Sequence, residues 1–166
     1  MGIERMSLLY WAPLGVALCH LIEEFAWPGG FRQWYAWYRP DIAASLTPGF
    51  LLRINVIMIL VAVWVGYTGP ASAGAIISGW LVLMSILANN ALFHLVATFR
   101  GKRYSPGVVT GCLLYLPLFV MGVIHFWMTQ SVSLTAMVLS VALGSLYQAW
   151  SLHTHKRRSR AHGMSG

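Results

Sequence analysis

The sequence predicts an all-α fold, a polytopic transmembrane bundle of about five helices with a short interfacial aromatic helix after the first span. Two features of composition and one of pattern carry this. Of the 166 residues, 58% are hydrophobic and only 9% charged, whereas a soluble domain carries roughly a quarter charged residues. Such a chain cannot cover a globular surface with polar groups, so lipid must be its outer solvent. The apolar residues also fall into runs near the roughly 20 residues needed to cross a hydrocarbon core.

Five runs meet that length: Met6–Trp27, Pro48–Tyr67, Ala73–Phe99, Pro106–Met128 and Val132–His153. Breaks separate them at Trp27-Pro28-Gly29-Gly30, Gly69-Pro70, Gly101 with its basic neighbours, and Thr129-Gln130-Ser131. Pro13 and Pro117 lie inside spans, where a proline is tolerated if a neighbour satisfies the carbonyl it frees. Gly107 and Gly111 form a small-xxx-small spacing that allows close helix contact. The run Phe31–Tyr38 repeats aromatics at helical spacing and reads as a helix in the headgroup layer. An aromatic belt is the plainer reading of it, a lid over a site the sharper one. Residues 1–155 form one transmembrane domain and residues 156–166 a basic, disordered cytoplasmic tail. The two cysteines, Cys19 and Cys112, fall in apolar runs and do not read as a disulfide framework.

The net charge of +7 does not point to nucleic acid, because the basic residues sit between and after apolar runs. Arg32, Arg39, Arg100, Lys102, Arg103, Lys156, Arg157, Arg158 and Arg160 share one side, nine against Arg5 alone, with Arg53 inside a span. The positive-inside rule then places the N-terminus outside and the C-terminus in the cytoplasm.

Ionisable groups at membrane depth are functional candidates by default. The first span ends His20-Leu21-Ile22-Glu23-Glu24. At about 100° per residue, Glu23 lies roughly 60° to one side of His20 and Glu24 roughly 40° to the other. The third span carries Asn90 and His94 four residues apart, on one face, and the second begins with Arg53 and Asn55. All of these belong to the leaflet that holds the tail. His125 lies in the opposite leaflet, and His153, His155 and His162 read as solvated companions of the tail. Two acids in a last helical turn oppose the negative dipole end. A metal ion, Arg53 or a raised pKa must compensate them.

These residues resemble a known family of small bacterial integral membrane proteins named for their HxxEE motif, here His20-Leu21-Ile22-Glu23-Glu24. Asn90 to His94, Arg100-Gly101 and Tyr104-Ser105-Pro106-Gly107 match its other marks, and the resemblance runs from the first span to the fifth. It implies a bacterial inner-membrane location and a suspicion of enzymatic activity without naming a reaction.

Two imidazoles and a carboxylate suit a divalent metal, zinc or iron, with open positions. The reading that follows is a metal-dependent membrane hydrolase acting on a lipid-like or apolar substrate. His20, Glu23, Glu24 and His94 are its candidate metal ligands. Glu23, Glu24, Asn90 and Arg53 are its candidate catalytic groups, one Glu as base and Asn90 or Arg53 for a developing oxyanion. Other readings stay open. One is a metal-free glutamate/His hydrolase resembling intramembrane proteases, although Pro28 stands where that class has an Arg. Another is a non-enzymatic protein that carries ions or protons or binds haem between His20 and His94. The expected partners are membrane lipid and a small apolar substrate, with homo-oligomerisation open.

Overall fold

The computed structural model describes residues 2–69 and 74–163. Pro70 of the second break, Ala73 at the start of the third expected span and residues 164–166 lie outside the described residues, as do the side chains of Arg5 and His162. The described chain is helical and contains no strand. Its elements are α1 (Gly2–Phe25), α2 (Phe31–Tyr38), a 3-10 turn at Ala43–Ser45, α3 (Pro48–Thr68), α4 (Ala75–Gly101), α5 (Val108–Met128) and α6 (Leu134–Gly163). All but α2 and the short turn are long and apolar enough to cross a membrane, which gives five candidate spans.

The central helix is α4. It packs against α1, α3, α5 and α6, and more than half of its span is buried. Its polar residues therefore face protein rather than lipid. Asn89 donates to Ser85 O at 2.8 Å and to Ser145 Oγ of α6 at 3.1 Å, which ties α4 to α6. By contrast, α3 and α6 scarcely touch. A cavity of about 1060 Å³ lies between them, floored by α4 and reaching His20 and Glu24.

Both intraspan prolines are accommodated as membrane physics requires. Pro13 leaves the carbonyl of Leu9 without its helical donor, and Trp80 Nε1 of α4 donates to it at 3.0 Å. Trp80 is wholly buried, and α5 makes room for it with Gly122. Before Pro117, α5 widens into a π turn over Gly111–Tyr115, where Leu116 N–H reaches Gly111 O. At Gly111 the helices are so close that a Cβ would lie 3.0 Å from Ala91 Cβ, as its spacing from Gly107 predicts.

Two expectations change, and α6 continues through the basic segment as far as Gly163. A helix that leaves the bilayer still gains one hydrogen bond per added residue. His155 is buried rather than solvated, with Nδ1 2.6 Å from Ser45 Oγ and its ring edge against Phe50. The aromatic helix α2 is not spread along the headgroups as a belt. Phe31, Trp34 and Tyr35 are buried, and their rings pack on Phe93 and His94 of α4.

Candidate metal centre

The centre is assembled from the end of α1, the last third of α4 and the start of α5. His20 and Glu24, one turn apart on α1, are 2% and 6% exposed, and His94 of α4 is fully buried. Glu24 Oε1 lies 3.4 Å from His20 Nε2 and 3.1 Å from His94 Nε2. These three side chains each offer one ligand atom to a common point, and together they could hold a metal ion. Ligands of a tetrahedral ion with bonds of about 2.0–2.1 Å stand roughly 3.3 Å apart, and the two measured contacts bracket that spacing.

The far nitrogens of both imidazoles are anchored. His20 Nδ1 lies 2.8 Å from Thr110 Oγ1, and His94 Nδ1 lies 2.8 Å from Ser105 Oγ. For His20 the proton can be located by elimination. The Thr110 hydroxyl has one proton and gives it to Glu23 Oε2 at 2.5 Å, so toward His20 it can only accept. His20 Nδ1 is therefore the N–H donor, and in the neutral ring Nε2 carries a lone pair. That lone pair faces the Glu24 oxygen and is also met by Asn90 Nδ2 at 3.1 Å. His94 Nε2 is buried and makes no hydrogen bond, since its 3.1 Å approach to Glu24 lacks hydrogen-bond alignment. A lone pair on His20 beside a carboxylate oxygen, with the buried Nε2 of His94 close by, is an arrangement that a cation would fit.

Glu23 does not join the cluster. One residue along the helix from Glu24, it turns toward α5. There it accepts from Val109 N (3.0 Å), Thr110 N (2.7 Å), Thr110 Oγ1 (2.5 Å) and Tyr104 OH (2.5 Å). The first-turn N–H groups of a helix lack internal partners and carry its positive dipole end. The acid at the end of α1 is thus compensated by the start of α5, and not by Arg53. The Tyr104 phenol stands above its usual pKa, first because it is partly buried and then because it donates to Glu23.

Arg53 also stands apart. It is exposed, does not line the large cavity, and belongs to a separate pocket with Ser45, Thr47 and Arg158. Asn55 of α3 does line the cavity. The convergence is real, but its third contributor is the start of α5 rather than α3.

Gly107 shows how tight the arrangement is. With φ at +101°, it occupies a conformation that suits glycine, and a Cβ there would lie 2.7 Å from His20 Cε1 and 3.1 Å from His94 Cε1. Tyr115, delivered by the π turn, packs its ring 4.5 Å from that of His20. On the other side, Phe31 and Trp34 of α2 close over His94, with ring centroids 5.9 and 5.8 Å away.

Sequence reasoning missed Ser105 and Thr110 as parts of the site. Ser105 and Gly107 stand in the run Tyr104-Ser105-Pro106-Gly107, whose signal was one of sequence pattern and not of charge. Thr110 lies one turn beyond Gly107.

No curated protein and no solved structure matches this chain. A family model does, over residues 11–122, and it is described as a protein of unknown function with HXXEE motif. That stretch holds His20, Glu23, Glu24, Asn90, His94 and the start of α5, and the chain belongs to the HXXEE-motif family.

Proposed function

We propose that this chain is a membrane-embedded, metal-dependent hydrolase acting on a lipid-like or apolar substrate, with His20, Glu24 and His94 as the metal ligands. The observation that carries this is the convergence of two buried imidazole Nε2 atoms on one carboxylate oxygen, with both Nδ1 atoms held by hydroxyl groups. Hydrogen bonding of the second ring nitrogen is the usual support of a metal-binding histidine. Three protein ligands leave a position open, as catalytic rather than structural sites do. Zinc or iron held there would polarise a carbonyl or phosphoryl oxygen and lower the pKa of a nearby water.

The rest of the reading concerns this chain's own residues. The cavity of about 1060 Å³ that reaches His20 and Glu24 is walled mainly by apolar side chains such as Leu83, Ile86 and Phe93. It suits an acyl or prenyl-like chain entering sideways between α3 and α6. Asn90, whose amide meets the His20 lone pair, is placed to donate to a substrate oxygen once that lone pair is otherwise engaged. Phe31 and Trp34 keep bulk water from His94. Glu23 acts through Thr110 by holding His20 in one tautomer, and Arg53 has no part in the chemistry. In this reading the protein resides in a bacterial inner membrane, with its centre in the cytoplasmic leaflet and its N-terminus outside.

Elemental analysis of the full chain, purified without chelator, tests this directly. About one zinc or iron per chain is expected, lost in His94→Ala and in Glu24→Gln. The contact of Glu24 with both imidazoles also supports a metal-free hydrolase in which Glu24 activates water. Metal-free protein with undiminished turnover would move the assignment there. The Glu24 oxygen lies between the two imidazoles where a porphyrin would have to pass, which counts against haem.

A further inference from the structure

A second pocket, of about 530 Å³, opens where the α2–α3 connection, the start of α3 and the end of α6 meet. It is lined by Ser45, Thr47, Phe50, Arg53, Ile54, Ile57 and Arg158. Its upper part is cationic and its lower part aliphatic. Arg158 is held in place from two sides, since its guanidinium donates to Ser45 O and its Cζ lies over the Phe50 ring, 3.9 Å from the centroid. Arg53, one turn into α3, brings a second guanidinium to the same pocket. Ile54 and Ile57 continue the wall down α3 toward the bilayer interior, and with Phe50 they also line the large cavity.

Acid is scarce in this chain, with four Asp and Glu against eleven Lys and Arg. Among the acids whose side chains are described, Glu24 lies in the centre, Glu23 is held by the start of α5, and Asp41 is paired with Arg39 at 2.8 Å. Arg53 takes part in none of the ion pairs among the described residues. Two guanidiniums, a hydroxyl and an aliphatic wall at a membrane boundary match one ligand chemistry, an anionic phosphate carried on a hydrocarbon chain. Guanidinium groups bind phosphate oxygens through charge-assisted, often bidentate bonds. Basic pockets between transmembrane helices are where anionic headgroups settle.

We propose that this pocket binds the phosphate-bearing headgroup of an anionic phospholipid, with an acyl chain lying along Ile54 and Ile57. The site is separate from the metal centre and does not depend on that centre's chemistry. It gives Arg53 a role in a pocket that shares Phe50, Ile54 and Ile57 with the apolar cavity.

The test uses the full chain in neutral-detergent micelles, offered equimolar phosphatidylglycerol and phosphatidylcholine, with the retained lipid measured by mass spectrometry. The wild type should retain the anionic lipid preferentially. Arg53→Gln should lower that preference roughly tenfold, the loss expected for one charge-assisted contact. Arg53→Lys should keep most of it, and Arg103→Gln, whose side chain stacks on Trp37 elsewhere, should leave it unchanged. Equal retention of the two lipids by the wild type would overturn the proposal, as would an unchanged preference in Arg53→Gln. Inorganic phosphate at about 10 mM should not displace the bound lipid, because the buried acyl chain adds binding that the free anion lacks. Displacement would reassign the pocket to the free anion.

Discussion

Glu23 and Glu24 are neighbours of identical chemistry, yet one helical step of about 100° sends them to different partners. Glu24 faces two imidazoles, while Glu23 faces backbone N–H groups and two hydroxyls. Their substitutions should therefore differ in kind. Glu23→Gln keeps a side chain that can still accept from Val109 and Thr110 but weakens the hold on His20. Metal titration should show unchanged stoichiometry and an affinity 10–100-fold lower, the usual cost of losing a supporting hydrogen bond. An affinity equal to wild type would remove Glu23 from the site. The Tyr104–Glu23 bond gives a pH signature. Because the folded-state pKa of Tyr104 is raised, its contribution to stability is complete below the unfolded value of ~10 and is lost as pH rises through the folded value. The gap in Tm between wild type and Tyr104→Phe should stay constant up to about pH 9 and close in stronger alkali. A gap that widened there would mean the phenol is not a donor to Glu23. The sharing of one face by His20, Glu23 and Glu24 was legible in the sequence. Their division of labour was not, because a face about 100° wide does not say which neighbouring helix each flank meets.

At the scale of elements, the bundle is locked by polar contacts made where helical hydrogen bonding fails. Pro13 frees Leu9 O, and Trp80 reaches across to take it. Trp80→Phe removes that donor and leaves a buried carbonyl unmet, which costs about 1–3 kcal/mol. Thermal unfolding in detergent should show a clear fall in Tm, and no change would mean that a water or another donor takes over. The helix α2 acts as a cover over His94. Trp34→Ala should leave the bound metal in place but let a water-soluble chelator remove it several times faster in stopped-flow measurements. Equal stripping rates would place the access route elsewhere. The first four spans were readable from hydropathy to within a few residues, whereas α6 runs well past the expected end at His153, to Gly163. The inward fold of α2 was not readable. An amphipathic aromatic octapeptide has the same periodicity on a lipid surface as on a protein one, and only the partner, here Phe93 and His94, distinguishes them. That Arg53 lies apart from the cluster was not readable for a related reason. Depth along a helix is legible in sequence, but the azimuth of an isolated residue on an otherwise apolar helix is not.

For the whole molecule, the basic residues of α6 and of the two loops at the same end lead to a proposed orientation, with the C-terminus in the cytoplasm. A reporter fused to the C-terminus should be active only when it needs the cytoplasm, and activity of an external reporter at that position would reverse the topology. The contacts of Glu23 join residues 81 to 87 positions apart in sequence, from the end of the first span to the start of the fourth. During synthesis, the first span and both of its acids must therefore be lodged in the bilayer long before Val109 and Thr110 leave the ribosome. The growing chain carries an unfinished site through the insertion of two further spans, and the acids can meet their partners only once the fourth has arrived. Under the proposed metal-site reading, metal loading would then be a report on biogenesis: a chain that held the ion would have placed its first, third and fourth spans side by side.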